Sequence, residues 1–306
     1  MGQGARIRTR IGVALAGALI LIAGVVLYVE HRRTEAFFKP ANLLARFPAE
    51  NGSALSIDLK ALRAAGLLAP ARGSEEPEYK KFLDGTGLDY RRDLDLVIAS
   101  FSPSGNYFIA RGRFDWKKLR EYAAQQGGSC YENLCRMQGS RPERRISFLP
   151  LRDDTIALAV SADDLAASRL LHSGAPVMAH IPAEPVWLSV PGSVLREPGS
   201  IPRGLRIVLS ALTRADRVVV TAGMAGSSVE ARLDATCRNA DDARALASQL
   251  RTTTATLKDA VASDKEASQD DLARMLAAGT FDSAGNRATG KWPIGKGLIE
   301  SLTAGI

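Results

Sequence analysis

The chain has 306 residues, of which 46% are hydrophobic and 24% charged, a composition that predicts about two globular domains and excludes a disordered or fibrous protein. The formal net charge of +7 is concentrated at the start, because without Arg6, Arg8 and Arg10 only 37 basic residues stand against 33 acidic ones. Aromatic residues make up only 6% and are scattered, which argues against nucleic acid as a partner.

Residues 11–29 are the first predicted element, a run of nineteen residues without a charge. At about 1.5 Å per residue such a helix spans roughly 28 Å, close to the hydrocarbon thickness of a bilayer. A cleaved signal peptide is the alternative, but the nearest small-x-small sequence is Thr34-Glu35-Ala36, beyond two arginines. The sequence therefore predicts an uncleaved transmembrane anchor.

The basic tail of residues 1–10 determines the predicted orientation. It contains three arginines and no acidic residue, so its transfer across a membrane would be unfavourable. We expect this tail in the cytoplasm, a juxtamembrane linker over 30–45, and the rest of the chain outside. This arrangement predicts a single-pass protein of a bacterial inner membrane whose bulk is periplasmic or extracellular.

An internal repeat follows the linker. LSIDLKALR from Leu55 matches LSVPGSVLR from Leu188 at an offset of 133, and a second block from Asp95 matches one from Asp216 at an offset of 121. A third block, from Ile146, returns to the offset of 133. We therefore predict copy 1 over 46–172, a connector over 173–182 and copy 2 over 183–304. The interval GLLAPARGSEEPEYKK in copy 1 is interpreted as a solvated insertion.

Each copy is predicted to contain a strand, a helix, a two-stranded hairpin, a helix, further strands and a last helix. Apolar and polar residues alternate strictly from Val229 to Cys237, as on a strand with one buried face. Cys237 therefore points inward. Antiparallel hairpins followed by helices predict an α+β fold, an N-terminal transmembrane helix followed by two tandem copies of an antiparallel-sheet-plus-helices unit.

The layout resembles a known class of protein. A single anchor, Phe47-Pro48, a strand ending at Asp58, the helix KALRAAGLL and duplicated hairpin-helix units follow one another. In this order the chain resembles uncharacterised bacterial single-pass membrane-anchored proteins with duplicated extracytoplasmic α+β units. That resemblance implies an architecture and no activity.

Cys130 and Cys135 lie in the stretch GGSCYENLCRM. Outside the membrane such a pair is expected to be oxidised to a disulfide, and free thiols or a redox or metal site are the alternatives. The spacing differs from the redox CxxC motif, and two thiols are half of a structural zinc site. Copy 2 has no equivalent pair.

A basic segment follows these cysteines. It could bind an anionic envelope component or an acidic protein partner, and the alternative is an ordinary solvated hairpin loop. Its arginines are Arg136, Arg141, Arg144, Arg145 and Arg152.

Recognisable catalytic, cofactor and metal motifs are absent from the sequence. The stretch from Gly290 to Gly297 approaches a phosphate-binding loop, but Gly297 stands where such a loop needs Ser or Thr. The paired carboxylates are interpreted as helix-start acids in three cases and as a turn in the fourth, namely Asp163-Asp164, Asp241-Asp242, Asp270-Asp271 and Asp153-Asp154. The three histidines, His31, His172 and His180, have no close metal-ligand partners in sequence.

The sequence thus favours a membrane-anchored extracytoplasmic protein with a binding, scaffolding or envelope-assembly role and no cofactor. The alternative is an envelope hydrolase with a site between the two copies, using a carboxylate such as Asp58 or Asp95. A real site should break the symmetry of the repeat, with polar groups in a cleft of one copy that the other copy fills with apolar residues.

Overall fold

The computed structural model describes residues 39–48, 50, 52–68, 77–139, 141, 144–174, 180–196, 212–226, 228–263, 270–295 and 298. The predicted tail and anchor, over 1–29, lie outside this part of the chain, as does most of the linker. Among the described residues no helix is both long enough and apolar enough to cross a membrane.

The helices are short apart from one. They are α1 (Pro40–Leu44), α2 (Leu59–Ala64), α3 (Pro77–Thr86), α4 (Tyr90–Asp93), α5 (Trp116–Gln125), α6 (Gly192–Leu195), α7 (Ala240–Ser263) and α8 (Asp271–Ala277). Two 3-10 helices cover Ala166–Leu171 and Leu212–Arg214. Asp58, Asp89, Asp115 and Asp270 cap α2, α4, α5 and α8 by accepting hydrogen bonds from backbone N–H groups, as N-cap residues do.

The strands pair in one antiparallel sheet. They are β1 (Ser53–Asp58), β2 (Leu94–Ser102), β3 (Gly105–Gly112), β4 (Ser129–Tyr131), β5 (Leu134–Gln138), β6 (Arg145–Arg152), β7 (Thr155–Ser161), β8 (Val186–Pro191), β9 (Ala215–Ala225), β10 (Ser228–Cys237), β11 (Thr280–Ala284) and β12 (Arg287–Ile294). Their spatial order is β11-β12-β10-β9-β8-β1-β2-β3-β7-β6-β5-β4. The predicted mixed α+β class, with antiparallel strands, is therefore confirmed.

The centre of the sheet is the pairing of β1 with β8. Leu55 lies opposite Leu188, and the two strands share an antiparallel ladder. Residues 39–174, here called the first half, and residues 180–298, the second half, are thus joined edge to edge. The sheet has no gap at this junction.

Alternation of side chains gives the sheet two faces. Face A includes Phe108, Val220 and Leu233, and face B includes Ile98 and Arg232, because the register places the members of each set on the same side. On face A of the second half, α7 packs Leu246 and other apolar residues onto the strands. The predicted alternation in β10 is confirmed, with Ala231, Leu233, Ala235 and Cys237 all buried.

Face B is covered differently in the two halves. In the first half, Leu43 and Leu44 of α1 and Leu170 of the first 3-10 helix pack onto Ile98 and neighbouring residues and are fully buried. No described helix of the second half packs on face B in this way. The interval predicted as a solvated insertion differs from that expectation, since its last residues begin α3.

Candidate functional site

An apolar cavity of about 500 Å³ lies on face A of the first half. Strands β2, β3 and β7 form its floor, and α3 and α5 form its walls. Among the described residues that line it, Tyr122 alone has a side-chain oxygen or nitrogen. Characteristic lining residues are Phe82, Val97, Phe108, Ala110, Phe114 and Ile156.

The sequence leaves this space because few side chains are available to fill it. Helix α5 has ten residues, and only Leu119 and Ala123 are buried against the sheet. Phe82 of α3 meets Tyr122 of α5 edge to face, with ring centroids 5.4 Å apart. Gly85 permits this approach, since a Cβ there would lie 2.6 Å from the Tyr122 ring. The two helices therefore pack against each other through these rings and leave part of the apolar face of the sheet uncovered.

The corresponding part of the second half is filled. There α7 has 24 residues and buries Leu246 and Leu250. Phe281 packs edge to face on Trp292, with centroids 5.2 Å apart, and Gly290 makes room for the Phe281 ring. The space left between α7, α8 and these rings is only about 10 Å³. One half is thus closely packed where the other holds a cavity.

Cys130 and Cys135 form a disulfide, as predicted. They lie directly opposite each other in the β4–β5 hairpin, and Cys135 is buried opposite Phe148, a residue of the cavity lining. Because β5 also places Met137 in that lining, the disulfide holds the end strands of the sheet in position beside the cavity.

An acidic side chain next to the cavity is fixed by arginines. Asp93 precedes the lining residue Leu94 and pairs with Arg92 at 2.7 Å and Arg113 at 2.9 Å. The hydrogen bond from Arg92 is the main cause that holds the pKa of the Asp93 carboxyl below its usual value, although burial acts in the opposite direction. Asp93 thus anchors α4 and the start of β2.

The predicted basic patch is divided. Arg136 and Arg145 lie together, since both contact Oδ2 of Asp164, at 3.5 and 3.4 Å. Arg141 and Arg144 belong to the exposed turn between β5 and β6. Arg152 lies at the far end of β6 from Arg145, about 23 Å away at the usual rise per residue.

The carboxylates that the sequence suggested as site residues take part in helix caps, turns and ion pairs. Asp58 Oδ1 accepts a hydrogen bond from the N–H of Ala61, and Asp95 pairs with Arg63 at 2.6 Å. The predicted turn is observed for Asp153-Asp154, and the predicted helix starts are observed for Asp241-Asp242 and Asp270-Asp271. Asp163-Asp164 instead lie in the turn before the first 3-10 helix, where Asp163 accepts a hydrogen bond from the N–H of Leu165.

The remaining candidates for chemistry are the Cys237 thiol, a metal site and the near phosphate-binding loop. Cys237 is a buried free thiol, and desolvation, followed by Asp242 and Asp216, raises its pKa. No group of His, Cys, Asp or Glu side chains in the described part of the chain could hold a metal ion. The near phosphate-binding loop begins as strand β12, which reaches Ile294.

The comparisons with known proteins give no family. No protein-family model matches the chain, and no curated protein matches it. Two crystal forms of TP0453 are similar in structure: form III has 10% identity and a TM-score of 0.49, covering 85% of this chain and 97% of that one. Form I has 9% identity and a TM-score of 0.44, covering 86% and 97%. At these scores the likeness carries no argument about function.

Sequence reasoning missed the cavity residues. Phe82, Phe108 and Phe114 are far apart in the chain and have no motif in common. The sequence indicates the cavity only indirectly, because the strands of the first half offer a wide apolar face and the helix that follows them is too short to cover it.

Proposed function

We propose that the protein is a membrane-anchored extracytoplasmic binding protein whose first half holds the acyl chain of an envelope lipid. The observation that carries this proposal is the apolar cavity of about 500 Å³ in a position where the second half leaves only about 10 Å³. Its volume lies within the range of about 300–1,000 Å³ that is usual for ligand sites. It is more than three times the volume of about 150 Å³ that suffices for benzene in an apolar cavity.

The chemistry of the lining selects the ligand. Among the described lining residues none has a charged or amide side chain and only Tyr122 has a hydroxyl group, so most polar groups of a ligand would remain unpaired there, which is unfavourable. Each methylene buried gains about 0.8 kcal/mol, so a chain of several methylenes gains enough to bind. The polar head group of an amphiphile would remain outside the cavity.

We also propose that the two halves are tandem copies of one ancestral unit. Outward from the centre, the strand order is β1-β2-β3-β7-β6 in the first half and β8-β9-β10-β12-β11 in the second, so equivalent strands have equivalent places. The repeat pairs Leu55 with Leu188, and these same residues lie opposite each other at the centre. Duplication followed by divergence of one cavity accounts for both observations.

Location also belongs to the proposal. The uncharged segment over 11–29 would hold the protein in a bacterial inner membrane, with its N-terminus in the cytoplasm. The disulfide between Cys130 and Cys135 supports an oxidising surrounding for the rest of the chain. A reporter-fusion topology test, with proteolysis of spheroplasts, would contradict this location if residues after 30 proved cytoplasmic.

Photocrosslinking tests the ligand. The full chain in lipid nanodiscs is illuminated with a diazirine-bearing fatty acid, and labelled peptides are mapped by mass spectrometry. We expect labels on peptides that contain Phe82, Phe108 or Phe114, which line the cavity. In an Ala110→Leu variant the new side chain occupies part of the cavity; if it displaces two methylenes of the chain, labelling falls roughly tenfold.

The matched control is Ala124→Leu, the same change on the exposed side of α5. It should leave labelling of the cavity peptides unchanged. Labels confined to membrane-facing segments, or equal labelling of the two variants, would contradict acyl-chain binding in this cavity.

A further inference from the structure

A groove of about 840 Å³, lined by charged and hydroxyl side chains together with apolar ones, lies on face B of the second half. Its floor consists of β9, β10 and β12, which present charged and hydroxyl side chains at alternate positions. In the first half the same face is buried beneath α1 and the first 3-10 helix. The groove therefore breaks the internal symmetry a second time, on the opposite side of the sheet from the acyl cavity.

The strand register fixes the spacing of four cationic side chains. Arg217, Thr236 and Arg287 lie in one row across three strands, and Arg232 lies opposite Lys291 in another row four residues away. Neighbouring strands are about 4.8 Å apart and residues rise about 3.4 Å along a strand. The Cα atoms of Arg217 and Lys291 are then about 17 Å apart, at diagonal corners of the groove.

Two of these cations form ion pairs within the groove, and the other two have no carboxylate partner among the described residues. Arg287 pairs with Asp234, and Arg232 pairs with Glu230 at 2.6 Å. Arg217 donates to the hydroxyl of Ser189 at 2.9 Å. Within the described ranges no carboxylate forms an ion pair with Arg217 or Lys291. The unpaired positive charge is thus at the two corners.

The centre of the groove offers hydrogen-bonding groups instead of unpaired positive charge. Asp234 lies between the two rows, beside the hydroxyl group of Thr289, which is opposite it in the register. Thr221 and Glu184 also line the groove, and none of its described lining residues is Phe, Tyr or Trp. These groups accept or exchange hydrogen bonds with hydroxyl groups, while the charge of Asp234 is balanced by Arg287.

We infer that this groove binds an acidic oligosaccharide, with carboxylates of the sugar at Arg217 and Lys291 and sugar hydroxyl groups over Asp234 and Thr289. Polyphosphate, a polyanion without hydroxyl groups, matches the corners but offers no hydroxyl group to Asp234 and Thr289. The sheet separates the groove from the acyl cavity, so this site is independent of the proposed acyl chain.

Titration of the full chain in nanodiscs of uncharged lipid tests the inference. The probes are a short oligogalacturonate, a neutral maltooligosaccharide and inorganic polyphosphate, each followed by isothermal titration calorimetry. We expect binding of oligogalacturonate that weakens with added salt, and no binding of the neutral sugar. Loss of one charge-assisted contact in Lys291→Ala should weaken binding about tenfold.

Lys258→Ala removes the same charge from the exposed surface of α7, on the other side of the sheet, and should leave affinity unchanged. Arg217→Gln keeps hydrogen-bonding capacity towards Ser189 and provides a second variant at the other corner. Polyphosphate binding as tight as that of oligogalacturonate, equal effects of Lys291→Ala and Lys258→Ala, or no binding of the acidic sugar would each overturn the inference.

Discussion

Ala110 and Ala231 provide a direct comparison between the two halves. They occupy matching positions in the repeat, lie on face A of central strands β3 and β10, and are each 8% exposed. Ala110 lines the cavity of about 500 Å³. Ala231 packs in the filled core opposite Trp292. The same substitution, alanine to leucine, should therefore have opposite effects on stability.

The magnitude follows from the added carbon atoms. Leucine adds three carbons, worth about 2 kcal/mol if they become buried, and loses about 0.5–1 kcal/mol of side-chain entropy. Ala110→Leu should therefore raise the free energy of unfolding by about 1 kcal/mol. Ala231→Leu overpacks its surroundings and should lower it by about 1–3 kcal/mol. The two variants should differ by about 3 kcal/mol.

Thermal melting of the full chain, followed by circular dichroism at the same protein concentration, measures this difference. For a protein of this size, about 3 kcal/mol corresponds to a separation in Tm on the order of 6 °C. Equal destabilisation by both substitutions would refute the reasoning, because it would mean that the cavity beside Ala110 is closed in solution.

Three further results are expected from the same preparations. Replacing Cys130 and Cys135 by serine should lower the free energy of unfolding by about 2 kcal/mol in the chain-entropy description of a short loop, and should lower Tm accordingly. Reductant should lower the Tm of the unsubstituted protein by the same amount and leave that of the serine variant unchanged. Asp93→Asn should cost about 2 kcal/mol near neutral pH. Since the folded-state pKa of Asp93 is lowered, its contribution to stability is present above the unfolded-state pKa and is lost as pH falls through the folded-state value. Asp93→Asn and the unsubstituted protein should therefore converge in Tm under acid conditions. A Tm difference independent of pH would contradict this account. The Cys237 thiol, buried and with a raised pKa, should react with iodoacetamide only after denaturant is added, as peptide mass mapping would show, and rapid labelling of the folded protein would refute its burial.

Local patterns predicted much of the fold. Strict alternation in β10 identified its buried face, and the carboxylate at Asp270 marked the start of α8, because both signals depend on neighbours in sequence. The cysteine pair was also predictable, since two thiols so close in sequence have few other arrangements in an oxidising compartment.

The candidate sites could not be predicted in the same way. The acyl cavity depends on where α3 and α5 lie on the sheet, and Phe82, Gly85 and Tyr122 join these two helices through a contact between distant segments. The groove depends on registers that bring Arg217 and Lys291 to one surface from strands 74 positions apart in sequence. Each strand alone has the ordinary pattern of a half-exposed strand.

The β1–β8 pairing also has a consequence for biosynthesis. During translation β1 and its neighbours in the first half emerge well before β8, so the hydrogen-bonding edge of β1 that β8 later covers stays open meanwhile. Closing that edge requires contact between residues more than a hundred positions apart, which is intrinsically slow. An open strand edge is a site for pairing with another nascent chain, and Leu55 and Leu188 lie on similar sequences. We therefore expect dimers joined through two copies of β1 among the products of misassembly.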